Sequence, residues 1–181
     1  MRLIQRGKFI SSGVTVIIET ERLTLDEITF SDILAVKKIV QDKDVMFHAY
    51  GYIFTDEQAY GWLNKQTERY KKYGFGKWGV SIKETNEIIG LCGFSMQEWK
   101  DRQVFELGYF FQKAYWHKGF ATEAASACLK YAFSILNKSE VFSIISKTNI
   151  PSQNVAKRIG MNICGEFVKE NIPHYIFSVK R

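Results

Sequence analysis

No stretch of the sequence approaches the roughly 18 to 20 consecutive apolar residues that a membrane-spanning helix needs, which excludes the usual transmembrane class. The N-terminal segment "MRLIQRGKFISSGVTVII" carries positive charge ahead of an apolar run. That run, "VTVII", is shorter than the roughly 7 to 15 residues of a signal-peptide core, and no small-residue cleavage site follows it. A cytoplasmic protein is expected. The three cysteines, Cys92, Cys128 and Cys164, are odd in number and widely spaced, without a C-x-x-C pair or histidines at ligand spacing. This argues against a disulfide framework and against a metal site, and leaves reduced structural thiols. No run of five or six like charges interrupts the chain, although the formal charge is +6. Acidic partners are favoured, a nucleic-acid surface has no support, and a phosphate-bearing ligand needs only a few of these charges. Internal repeats and low-complexity linkers are also missing, so no domain boundary shows within the 181 residues.

What is present is ordinary globular composition, 46% hydrophobic and 24% charged, patterned as mixed α/β. "ERLTLDEI" alternates as a strand. "FSDILAVKKIV" spaces its apolar residues as a helix opened by a Ser31-Asp32 cap, and "FTDEQAYGWLNKQTERYKKYG" as a second, with Thr55 as cap and Gly74 as stop. Between them "DKDVMFHAYGYIF" reads as an aromatic loop. "KWGVSI", "IIGLCGFSM" and "VFELGYFF" follow as antiparallel strands, the first pair joined by the polar turn "KETNE". The clearest helix places Ala121, Ala124, Ala125, Cys128, Leu129, Ala132, Phe133 and Leu136 on one face. "VFSIISKT" is a strand, "PSQNVAKRIG" a short helix with Pro151 in its first turn, and "NICGEFVKE" and "HYIFSVK" are closing strands. Four tryptophans and 15% aromatic content imply core, not base stacking.

The junction "YWHKGFATEAA" enters the long helix through Gly119, with Lys118 beside it. A strand, a glycine turn and a helix with free N-terminal amides form an anion site, because N–H groups and helix dipole both face the incoming charge. An ordinary strand-to-helix turn explains the glycine equally well. Neither a phosphate-binding P-loop nor a G-x-G-x-x-G dinucleotide motif occurs anywhere in the chain.

Residues Trp116, His117, Lys118, Gly119, Phe120 and Ala121 resemble the acetyl-CoA pyrophosphate loop of the GNAT acetyltransferases, Gln/Arg-x-x-Gly-x-Gly/Ala. Trp116 departs from the usual first residue, as it does in the branch of Rim-type ribosomal-protein N-terminal acetyltransferases. "ETERLTL", "FELGYFF" and "NIPSQNVAKRIGM" are similar to further motifs of that branch, in the same order and spacing. The likeness covers about residues 19 to 181 and implies one GNAT domain there, preceded by an extension, residues 1 to 18. It implies a mostly antiparallel twisted sheet flanked by helices and splayed at the acetyl-CoA site. It also implies cosubstrate contacts from Gly108, Tyr109, Phe110, Trp116, His117, Lys118, Gly119, Phe120, Ala121, Thr122, Asn149, Asn154 and Lys157. A cap or solvated turn explains either asparagine as well, and solvation alone explains Lys157. His117 is expected to face solvent.

Acetyl transfer to an amine needs an unprotonated nucleophile, and an α-amine, with a pKa of about 8 against about 10.4 for lysine, loses its proton more readily. Glu106 shares a strand face with Val104, Gly108 and Phe110, and a carboxylate inside an apolar strand is the candidate general base, the role the family gives it. The alternative is an edge glutamate facing water. Where many relatives carry an acidic tyrosine this chain has Ala156, leaving Ser152 as the available proton donor or else a helix cap. His48, Tyr50 and Tyr52 occupy the loop where the branch builds its acceptor site, with local packing as the other explanation. The expected partners are acetyl-CoA and an amine: a protein N-terminus first, with polyamines and aminoglycosides as alternatives. Asp42, Asp44, Asp56 and Glu57, if clustered, would favour a polycationic acceptor. A non-catalytic acyl-CoA-binding module is the competing class, and the oligomeric state stays open, a homodimer included.

Overall fold

The computed structural model describes residues 2–3, 16–169 and 171–181, and for residues 2–3 and 48–50 the backbone alone. The elements follow in chain order: β1 (Arg2–Leu3), β2 (Val16–Glu19), β3 (Leu23–Asp26), α1 (Ile33–Val40), α2 (Lys43–Tyr50), α3 (Asp56–Tyr73) and β4 (Lys77–Ile82). Then come β5 (Ile88–Trp99), β6 (Arg102–Phe111), α4 (Phe120–Ser134), β7 (Glu140–Ser146), α5 (Ile150–Arg158), β8 (Asn162–Lys169) and β9 (Ile172–Lys180). Among the described residues no helix is long and apolar enough to cross a membrane.

The strands form one sheet in the order β1-β2-β3-β4-β5-β6-β7-β9-β8. Every neighbouring pair is antiparallel except β6 and β7, which run parallel. The mixed, largely antiparallel sheet expected from the alternating segments is therefore present. β5 and β6 stay in register from Gly90 opposite Phe111 to Trp99 opposite Arg102. Lys100 and Asp101 both have positive φ, 50° and 57°, which is what a two-residue hairpin turn between twisted strands demands.

Side chains of neighbouring residues in a strand point to opposite faces, and this sorts the helices. Trp78 packs edge-on against Tyr131 of α4, with ring centroids 5.4 Å apart, so α4 covers the Trp78 face. Phe94 and Phe105 stack there at 4.5 Å, and Phe94 meets Trp78 edge-on at 5.7 Å. The alanines of α4 let it approach closely, and Cys128 lies with its thiol 3.5 Å from that of Cys92, both reduced. The opposite face, bearing Lys77 and Glu106, belongs to α3.

Two local readings change. The segment read as an aromatic loop is the helix α2: Asp42 accepts from the Asp44 amide at its start, and Gly51 closes it in the left-handed conformation at φ 76°. Burial of Val45 and Met46 anchors the helix to the core, overriding the irregular spacing of its aromatic residues. Asp32 of the expected Ser31-Asp32 cap does stand at the N-cap of α1, but its side chain turns back to a 3-10 turn, residues 30 to 32, and accepts from the Thr29 amide at 2.8 Å instead of capping the helix. Thr55 and Gly74 cap α3 as expected, and the buried Ile18 belongs to β2, which spans the boundary drawn at Glu19.

Asp26 is a partly buried acid in β3. One carboxylate oxygen is buried without a hydrogen-bond partner among the described residues, and burial, opposed by Thr24 and assisted by the charge of Asp32, pushes its pKa from 3.8 up to about 6. A raised carboxyl pKa makes ionisation unfavourable to the fold. The penalty is absent below pH 3.8, grows through the interval to about 6, and is complete above it. Asp26→Asn should therefore raise the thermal midpoint at pH 7.5 and leave it unchanged near pH 3.5, as scanning calorimetry at both pH values will read.

Candidate active site

β6 and β7 share a single register pair, Glu106 opposite Phe142. Just beyond it the buried hydroxyl of Ser143 donates to the Leu107 carbonyl at 2.7 Å, a side-chain bond where a ladder bond would run. The strands then part, and a cavity of about 550 Å³ opens between them. Its walls bring together Glu106, Gly108, Tyr109, Phe110, Asn149, Ser152 and Tyr52 from the expected set. The side chains of His48 and Tyr50 lie outside the described residues.

Glu106 is fixed by partners that its own segment does not reveal. Its Oε2 accepts from the Ser95 hydroxyl at 2.6 Å and lies 3.6 Å from the ammonium of Lys77. Lys77 is almost wholly buried and donates to the Gly93 carbonyl at 3.1 Å. The ammonium and the hydroxyl offset the cost of taking the carboxylate out of water. Among the described residues Oε1 has no hydrogen-bond partner, and it lies toward Gly108, 3.6 Å from where a β-carbon there would stand. That same β-carbon would come within 2.6 Å of the Lys77 ammonium, so Gly108 keeps the space that the ion pair occupies. The edge-glutamate alternative is thereby removed: Glu106 faces the cavity.

Across the opening, Asn149 caps α5 by accepting from the Ser152 amide at 3.1 Å. Ser152 is thus not the cap. Its hydroxyl has no hydrogen-bond partner among the described residues, and its carbonyl accepts from the Tyr109 hydroxyl at 2.8 Å, tying β6 to α5. Burial pushes the Tyr109 phenol far up and keeps it neutral. Asn154 and Lys157 stand exposed on α5, outside the cavity wall.

The junction before α4 forms a separate surface. Gly119 has φ 82°, a conformation that glycine adopts freely, and His117 has φ 61° with its side chain exposed. The first helical bond runs from the Glu123 amide to the Gly119 carbonyl at 3.0 Å. Among the described residues nothing accepts from the amides of His117 to Thr122, so the end of α4 offers a fan of donors to an anion. The Trp116 indole donates to the Phe111 carbonyl at 2.8 Å, and the Phe120 ring is buried beneath Arg22 at 4.4 Å. These two rings secure the loop, and the Lys118 ammonium lies over the Tyr115 ring at 5.1 Å.

Arg22 went unnoticed in the sequence. It pairs with Glu123 at 2.6 Å and donates to the Lys118 carbonyl at 3.1 Å, holding the turn from beneath. Burial alone would push Glu123 up, but Thr20 and Arg22 together hold it below the usual carboxylate range. Lys77, Ser95 and Ser143 were missed as well; the only local signal was a polar residue in an otherwise apolar strand.

The fold and the sequence both have counterparts among known proteins. Residues 22–162 match the family described as acetyltransferase (GNAT) domain. The chain belongs to the GNAT acetyltransferase family. It is 34% identical over 156 residues to the uncharacterised N-acetyltransferase YnaD of Bacillus subtilis (strain 168), covering 86% of this chain and 88% of that protein. The crystal structure of a GNAT-family acetyltransferase from Bacillus anthracis superposes with a TM-score of 0.76 at 29% identity, over 90% of this chain and 97% of the other. A ribosomal-protein-S5-alanine acetyltransferase from Vibrio fischeri shares the fold, with a TM-score of 0.71 at 20% identity, over 90% and 94% of the two chains. GNAT enzymes use acetyl-CoA, and the unused amides of residues 117 to 122, the left-handed glycine and Lys118 fit its pyrophosphate.

Gly119→Asp tests this fit, because aspartate tolerates positive φ better than most residues while adding negative charge at the loop. Calorimetric titration with CoA should show affinity reduced about tenfold or more by like-charge repulsion, with only a small fall in thermal midpoint. Undiminished affinity would separate the loop from the pyrophosphate.

Proposed function

We propose that this GNAT enzyme transfers the acetyl group of acetyl-CoA to a protein N-terminal α-amine, with Glu106 as general base and Ser152 as proton donor. The observation that carries the reading is the state of the Glu106 carboxylate: Oε2 held by Ser95 and Lys77, Oε1 open where the sheet parts. A carboxylate held on one oxygen and open on the other can receive a proton without losing its orientation. Bound acetyl-CoA supplies the thioester acetyl group. Glu106 takes the proton that the amine sheds, and the hydroxyl of Ser152, on the α5 side of the opening, serves the leaving side. The edge of β6 that parts from β7 beyond Glu106 lies along the opening, where its backbone can help to orient the ligands.

An extended cavity between β6 and β7 that reaches α3 and the β8–β9 hairpin suits an acceptor with chain on it, which supports a peptide N-terminus. The acidic cluster that would favour a polyamine gives that alternative little weight. Asp44 pairs with Lys113 at 2.7 Å, Asp56 with Lys37 at 2.6 Å, Asp42 caps α2 and Glu57 accepts from Thr55, so the four acids form no open patch. An open base is also an unneeded feature in a mere acyl-CoA-binding module. Residues 19 to 181 are read as the catalytic domain, residues 1 to 18 as an extension outside the site, and the cytoplasm as the location.

Glu106→Gln keeps the shape and removes the proton acceptor. At pH 7 kcat should fall about 10²-fold or more, the usual share of general-base catalysis, while CoA binds as before. The deficit should narrow as pH rises above about 8, where an α-amine is already neutral. Stopped assays of thiol release across pH 6.5 to 9.5 read this, and near-normal turnover at pH 7 would overturn the assignment.

A further inference from the structure

The acceptor end of the cavity has a charge pattern that the transfer chemistry does not explain. Lys65 and Arg69 of α3 and Lys169 at the end of β8 line it together with Lys77, whereas Glu106 is the one carboxylate among the described lining residues. Lys77 is engaged with Glu106. Among the described residues none of the other three cations pairs with a carboxylate. Lys65 and Arg69 are four residues apart, so their heads rise from the same face of α3, the face that also presents Trp62 and Gln66 to the cavity. Arg69 is half-buried, and its one described bond is a long one, 3.4 Å to the Gln66 side-chain oxygen. That oxygen already accepts from the Lys77 amide at 3.0 Å. A guanidinium with five donors is thus held in the wall with most of them unspent. None of residues 116 to 122 lines this cavity, so these cations are separate from the pyrophosphate loop.

Resting on the acetyl-transfer reading, we propose that the acceptor amine carries a carboxylate close by, received by Arg69 and Lys65 with Lys169 opposite. The chemistry is that of an anionic primary amine, supplied either by an acidic residue near a peptide N-terminus or by the α-carboxylate of a free amino acid. Arginine binds a carboxylate bidentately and lysine adds a point charge, so the pair orients the acceptor as well as attracting it. A polycation meets three uncompensated positive charges here and is rejected.

The test uses matched acceptors in a thiol-release assay with acetyl-CoA: the tripeptide amides Ala-Glu-Ala, Ala-Gln-Ala and Ala-Lys-Ala, and free amino acids against their carboxamides. The carboxylate member of the favoured pair should exceed its neutral partner about tenfold in kcat/KM, and which pair discriminates names the source. Arg69→Gln and, separately, Lys65→Gln should raise KM for the carboxylate acceptor about tenfold while KM for acetyl-CoA stays within about twofold, and should abolish the preference. Calorimetric titration of the same compounds into the CoA-loaded wild type and Arg69→Gln reads the subsite without turnover. Carboxylate-dependent binding without turnover would keep the subsite and overturn acetyl transfer. Turnover without carboxylate preference, or a change confined to KM for acetyl-CoA, would overturn the subsite and keep acetyl transfer. Neither binding nor turnover with any member would overturn both.

Discussion

The parting of β6 from β7 is the constraint from which the rest follows. Interior strands normally pair every backbone donor and acceptor on both edges, since a buried unpaired group costs free energy. Here two neighbouring strands stop pairing after Glu106 and Phe142. They can do so because each is secured on its outer edge, β6 along the length of β5 and β7 along β9 from Glu140 to Ser146. Ser143 closes the vertex by donating to Leu107. The cleft is thus a product of pairing elsewhere in the sheet, and it opens into a cavity where a ligand or water can meet the parted edges.

Lys77 couples this cleft to the helix that walls it. Its ammonium faces Glu106, while its main chain is clamped by α3: the amide donates to Gln66 and the carbonyl accepts from the buried Tyr70 hydroxyl. Burial drives the Tyr70 phenol upward, keeping it a neutral donor. A buried ion pair adds little net stability, because the desolvation of two charges consumes most of the attraction. Its value here is geometric. The same residue that holds one oxygen of the candidate base also fixes the height of α3 above it, so base and acceptor wall cannot drift independently.

What could be read from the sequence was what depends on neighbours in the chain. Gly119 before an alanine-rich helix, Thr55 and Gly74 around α3, and Glu106 inside an apolar alternation are local patterns with local causes, and each lies where its pattern requires. α2 was hidden because eight residues with scattered aromatics give too weak a period, although Asp42 and Gly51 were cap signals in plain view. The Ser31-Asp32 cap holds by position alone, since Asp32 is the N-cap residue of α1 while its carboxylate is drawn back to Thr29 by the turn before the helix. Arg22 meets Glu123 across 101 residues, and Lys77 meets Glu106 only after β5 has folded between them. No window along the chain contains such pairs.

The field at the end of α4 depends on how these distant charges cancel. An acidic residue in the first turn of a helix ordinarily favours the helix and opposes a second anion there. Glu123 occupies that turn, yet it is ionised against Arg22, with Thr20 adding a hydrogen bond of 2.7 Å. The guanidinium and the carboxylate form a nearly neutral unit. Arg22 also binds the Lys118 carbonyl, removing from the turn an acceptor that would repel phosphate oxygens. The electrostatic bias left at the turn comes from the unspent amides and the ammonium of Lys118. Arg22, though a cation within reach of the loop, therefore acts by shaping it and by masking negative charge, so that what the turn itself offers an anion is backbone, whose donors are fixed in place and need no side-chain ordering.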